Sequence, residues 1–136
     1  MPKKNKITKS SLPVSENVAG ALSYLLGWLT GIIFYILGKD SKFIRFHAMQ
    51  SIIFFVLINI VSFIISSFTF SSLMTSGFNN PIGYMAALGP TSIALTISSL
   101  INLITLVVWI LCMYKAYKGE KFKLPFIGDL AEKYSS

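Results

Sequence analysis

Three long apolar runs, separated by short polar or charged stretches, set the pattern of this chain. They cover about 17–37, 48–70 and 91–113. A helix needs about 20 mostly apolar residues to cross a hydrocarbon core of roughly 30 Å. The pattern therefore predicts an all-α membrane protein with about three transmembrane helices. After the last run, Gly119 and Pro125 interrupt the chain, and Ile127, Leu130, Ala131 and Tyr134 recur at i, i+3, i+4 and i+7. That spacing predicts a short interfacial helix over about 126–134, lying with its apolar side down.

Within the first run, Gly20, Ser23, Gly27 and Gly31 fall on one helical face. Small residues let backbones approach closely in lipid, so Gly20, Gly27 and Gly31 are candidate helix-packing positions, within the chain or between copies. The polar break from Gly38 to Lys42 offers a helix N-cap at Asp40 or Ser41. The second helix then starts amphipathically, with Phe43, Phe46, His47 and Gln50 on one side. From Ser71 to Pro90 the chain is uncharged and rich in Ser, Gly, Asn and Pro, with a turn expected at Asn79-Asn80-Pro81. An exposed loop, a re-entrant piece or the start of a fourth, weakly hydrophobic helix would each fit it. Trp109, Tyr114 and Tyr117 suit a membrane interface at the end of the last span.

Composition agrees with a lipid solvent: 54% of residues are hydrophobic, 12% are charged, and mean hydropathy is +0.68. A soluble domain carries about a quarter charged residues. The net charge of +7 sits in three clusters that flank the apolar runs: Lys3, Lys4, Lys6 and Lys9; Lys39, Lys42 and Arg45; and Lys115, Lys118, Lys121, Lys123 and Lys133. Such placement points to topology signals and membrane lipids as partners rather than to nucleic acid. With three spans, the first connection and the C-terminus fall on the cytoplasmic side of a multi-pass plasma-membrane protein, and the N-terminal tail falls outside. The four lysines of that tail oppose this assignment, and a fourth helix or unusual insertion would accommodate them. Residues 1–15 read as a flexible basic tail, and 16–136 as one helical membrane domain.

No catalytic constellation is visible. Glu16, Asp40, Glu120, Asp129 and Glu132 all lie outside or at the edge of the apolar runs, and one His with one distant Cys makes no metal site. The expectation is a nonenzymatic protein with no cofactor, no metal and a Cys112 that serves as a small packing residue. Polar residues do sit within the runs: Ser51, Asn59, Ser62 and Ser66 roughly share a face, as do Ala94, Ser98, Asn102 and Thr105. Interhelical hydrogen bonding accounts for them, with a narrow water path in an oligomer as the competitor. His47, beside Arg45 and Gln50, is expected to hydrogen-bond the polar C-terminal segment; its alternative is charge switching near neutral pH. Lys42, Arg45 and Lys123 form a candidate phosphate or lipid-headgroup site.

The run from Lys39 to Ser51, with its Phe46-His47-Ala48-Met49-Gln50-Ser51 block, is paired with Lys115 to Gly128, which contains Leu124-Pro125 and Gly128. Together they resemble the small prokaryotic membrane proteins related to the chloroplast inner-envelope import subunit of the Tic complex, a group that includes magnetosome membrane proteins. The resemblance extends from about Glu16 to Tyr134. It implies a compact helical membrane domain with both motifs near one membrane face, and the plant relative is usually described with four spans. The candidate motif is thus Lys42, Arg45, Phe46, His47, Gln50, Ser51, Lys123, Pro125 and Gly128. The leading functional expectation is a self-associating or complex-forming membrane component with a basic cytoplasmic face. A channel or protein-translocation pore subunit is second, and a lipid-headgroup-binding enzyme a distant third.

Overall fold

A computed structural model describes residues 12–77 and 80–136, so most of the basic tail lies outside the described residues. Five α-helices follow in order: α1 (Glu16–Leu22), α2 (Trp28–Leu37), α3 (Lys42–Ser72), α4 (Pro81–Tyr117) and α5 (Ile127–Ser135), with a π-helical turn at Leu73–Gly77 after α3. No strand occurs among the described residues. Two of these helices, α3 and α4, are long and apolar enough to cross a membrane.

Local chemistry sets the helix ends. The Ser15 hydroxyl accepts from the N–H of Val18 and caps α1. Of the two N-cap candidates for α3, Ser41 fills the role, accepting from the N–H of Ile44 at 3.3 Å. The Asn80 side chain accepts from the N–H of Gly83 at 2.6 Å, and Pro81 starts α4, where a missing N–H costs nothing. Gly119, at φ 78°, closes α4: its N–H reaches Ala116 O and the N–H of Glu120 reaches Lys115 O. That pair of bonds is a Schellman ending.

The first apolar run departs from expectation. It is not one helix over 17–37 but two short ones broken at Ser23 to Gly27, where Gly27 has φ 68° and ψ −133°. Neither is long enough to span: 7 and 10 residues rise about 10 and 15 Å. Their neighbours show that they form a hairpin. A Cβ on Gly20 would touch Phe43, Tyr24 bonds His47 and Gln50, and Gly27 abuts Phe55, so α1 descends along α3. Gly31 then abuts Ile52 and Ala48, Tyr35 meets Arg45, and Gly38 abuts Ile44, so α2 climbs back. The sequence signal of a span was apolarity over 21 residues; the glycine that permits a left-handed turn in its middle changes what that apolarity builds.

The Ser71 to Pro90 stretch also resolves as far as it is described: its second half belongs to α4, which begins at Pro81 and carries Pro90 inside it. Two compact units partition the chain, Met1–Val56 with Trp109–Ser136, and Leu57–Val108. In the first, the hairpin packs on the starting turns of α3, whose buried residues run from Ile44 to Phe54. In the second, α3 and α4 pair antiparallel around an apolar groove of about 490 Å³ lined by Ile64, Ile65, Phe68, Pro90, Ile93, Ala94 and Ile97.

Candidate functional site

The Phe46 to Ser51 block faces inward in the first unit, with Phe46, His47, Gln50 and Ser51 essentially sealed from solvent. Burial of that much polarity is stable only when each group finds a partner. Gln50 uses its whole amide: one N–H reaches the Tyr24 hydroxyl at 2.9 Å, the other Phe122 O at 3.0 Å, and its oxygen accepts from the N–H of Leu124 at 3.2 Å. The side chain thus reads the backbone of Phe122 to Leu124 as a neighbouring strand would. Cys112, 1% exposed, sits with its sulfur 4.0 Å from the same amide nitrogen.

The Tyr24 hydroxyl also lies 3.2 Å from His47 Nδ1. Since Gln50 donates to that oxygen, its own proton is free for Nδ1, which assigns the ring proton to Nε2. Nε2 is buried, with the backbone of Glu120 as its neighbour at less than ideal geometry, and Phe43, Phe46 and Tyr24 present ring edges or faces around the imidazole. His47 was expected to tie the C-terminal segment: it meets the backbone of Glu120 there, while Gln50 bonds that of Phe122 and Leu124.

The helix break is sealed from the same side. Ser51 Oγ donates to Gly27 O at 3.1 Å, Thr30 Oγ1 donates to Ser23 O at 3.1 Å and accepts from the N–H of Leu26, and Trp109 Nε1 donates to Tyr24 O at 2.7 Å. Non-helical backbone in an apolar setting survives only where such partners exist. Trp109 is a half-buried clasp between α4 and the hairpin.

At the rim, the cations do not converge on one phosphate. Arg45 donates to the Tyr35 hydroxyl at 3.0 Å and lies over that ring, while Tyr35 donates to Tyr134 O in α5 at 3.0 Å. Lys123 pairs with Glu132, with Asp129 at 3.9 Å. Lys42 is exposed. Pro125 O accepts from the N–H of Ile127 at 2.7 Å, and a Cβ on Gly128 would lie 2.6 Å from that of Lys123, so these two shape the bend into α5. Gly20, Gly27 and Gly31 each meet α3 side chains at or inside contact distance, which places the small-residue face within the chain. In α5, Gly128, Ala131 and Ser135 are buried while Leu130 and Tyr134 face outward.

Sequence reasoning passed over Tyr24 and Thr30 and the hydrogen bond that Trp109 makes. Tyr24 carried a signal: it occupies the slot between Gly20 and Gly27 on the small-residue face, where a large polar-tipped side chain is out of place unless something receives its hydroxyl.

A UPF0132 membrane protein of Methanocaldococcus jannaschii is 49% identical over 127 residues, covering 93% of this chain and 94% of its own length. A second from the same organism is 39% identical, covering 91% of this chain and 73% of its own. One from Archaeoglobus fulgidus is 40% identical, covering 88% and 94%. No solved structure matches. Residues 11–131 match the MamF/MmsF family, described as the magnetosome magnetite crystal formation protein family. With nearly its whole length matched, and with relatives named as membrane proteins, the chain belongs to this family of small membrane proteins.

Proposed function

We propose that the protein is a nonenzymatic membrane component that works by assembling, with copies of itself or with a larger membrane complex. The polar groups of the Phe46 to Ser51 block are engaged in holding the hairpin and the C-terminal segment, which leaves the outer helix faces to carry the role. The observation that supports assembly is a polar seam on α4. Gly89, Ser92, Thr96 and Ser99 recur at spacings of 3, 4 and 3, with Asn102 three residues on, and all but Gly89 are exposed polar side chains on a mainly apolar helix. Each bonds a carbonyl of its own helix, as in Ser99 to Leu95 at 2.8 Å and Asn102 to Ser98 at 2.8 Å. The Asn102 amide keeps a carbonyl oxygen and a second N–H to offer, and small polar residues on a lipid-facing helix favour helix association.

Purification in mild detergent with mass measurement by light scattering tests this. An oligomer or a stoichiometric partner that is lost on Asn102→Leu supports the reading; a monomer with no copurifying partner ends it. The alternative of a channel or translocation-pore subunit, suggested by the Tic resemblance, draws less support, because Ser51 is bonded to Gly27 O and Ala94 is buried. A headgroup-binding enzyme draws least, since Arg45 and Lys123 are already engaged.

A further inference from the structure

The hairpin changes the membrane topology that the apolar runs suggest. Asn17 at the start of α1 lies against Gly119, just past the end of α4. Gly38 at the end of α2 lies against Ile44 in the first turn of α3. Tyr35, near the end of α2, bonds both Arg45 and the backbone of Tyr134 in α5. The start of α1, the end of α2, the start of α3, the end of α4 and α5 therefore meet at one end of the first unit.

The tip of the hairpin reaches the level of Phe55 on α3. Ten residues separate it from Arg45, the last charged residue before the apolar run, or about 15 Å of helix rise. That is about half of the roughly 30 Å hydrocarbon core. A turn at that depth needs its backbone satisfied, and Ser51, Thr30 and Trp109 provide the partners.

We infer that residues 16–38 form a re-entrant hairpin that enters and leaves the membrane on a single face, so that both termini and all twelve basic residues gather there against anionic lipid headgroups. Charge supports this independently. No Lys, Arg, Asp or Glu lies between Arg45 and Lys115, so α3, α4 and the connection between them are uncharged. Three full spans would set Lys3, Lys4, Lys6 and Lys9 across the membrane from the other eight basic residues. A re-entrant hairpin returns them to the same side, and the positive-inside rule then holds for every cluster. The apolar Leu130 and Tyr134 of α5 are exposed beside Lys133, and Phe126 is 86% exposed at φ 63°, an arrangement suited to the boundary between headgroups and acyl chains.

The test is labelling of single cysteines by a membrane-impermeant maleimide in sealed vesicles of both orientations. Probes at Ser10, Lys39, Ile82 and Ser136 are introduced with Cys112 changed to Ala, and again with the buried Cys112 retained. Ser10, Lys39 and Ser136 are expected to react from one side and Ile82 from the other. Reaction of Ser10 from the side opposite Lys39 overturns the hairpin, whether three or four spans replace it. For the headgroups, the intact protein in phosphatidylglycerol nanodiscs should melt several degrees above that in phosphatidylcholine, with the gap shrinking at high salt. Equal melting in both overturns the lipid assignment. Neither readout depends on oligomeric state, so the assembly proposal stands or falls separately.

Discussion

The indole N–H of Trp109 donates to the backbone carbonyl of Tyr24 at 2.7 Å, across 85 positions of sequence. That carbonyl belongs to the break between α1 and α2, where it also accepts from the N–H of Gly27 at 3.2 Å. Trp109→Phe keeps the ring and removes the donor. The expected cost is about 1 to 2 kcal/mol, read by unfolding in mixed micelles. A loss of a few tenths would mean that the break is held by Ser51 and Thr30 alone.

Gln50 is the residue on which the C-terminal segment depends. Gln50→Leu leaves Phe122 O and the N–H of Leu124 without their side-chain partner in a buried setting. About 3 kcal/mol of destabilisation is expected, with new protease cleavage after Lys121 or Lys123. His47→Ala should raise that cleavage less than Gln50→Leu does, because His47 meets the segment only at the backbone of Glu120, whereas Gln50 holds Phe122 and Leu124.

Two glycines give a matched pair. In Gly31→Ala the new Cβ would lie 2.8 Å from Ile52 Cγ1 and 3.0 Å from Ala48 O, whereas at Gly89 it meets nothing within 4 Å. Gly31→Ala should cost about 1 to 2 kcal/mol, and Gly89→Ala should be neutral or slightly stabilising. The comparison is made by thermal unfolding in one detergent. Equal effects would remove close packing as the reason for the small-residue face.

These positions show how much the residues disclosed in advance. The all-helical class, α3, α4 and α5 follow from apolar length and period, because those signals are local. The pairing of the Phe46 to Ser51 block with the segment after Lys115 came from resemblance, and Gln50 supplies its physical basis. The hairpin was not legible because 21 apolar residues satisfy the length criterion for a span whether or not a glycine turns the chain at its centre. What decides between them is the set of partners for Ser23, Tyr24 and Gly27 carbonyls, and these come from α2, α3 and α4. The clasp made by Trp109 was hidden for a similar reason: an aromatic near a helix end is common at interfaces, and only its distant acceptor shows that it also holds the break.

The contact of α5 with Lys123 should depend on pH in the acid range. Hydrogen bonding from Lys123, then its charge, holds the Glu132 carboxyl below its ordinary value of 4.5, and the same hydrogen bond raises Lys123. A lowered carboxylate contributes above its unfolded value and loses that contribution as pH falls through the folded one. Amide signals of α5 should therefore hold steady from pH 8 to 5 and shift only in more acidic solution. A transition near neutral pH would contradict this assignment.

The account rests on the first apolar run being a hairpin, and a distance between its ends tests that most directly. Spin labels at Asn17 and Leu37, with Cys112 replaced by Ala, report the separation by pulsed electron resonance in a bilayer. A continuous helix from Asn17 to Leu37 would hold them about 30 Å apart. The hairpin predicts a separation well short of that in a single narrow distribution, and a value near 30 Å would contradict it.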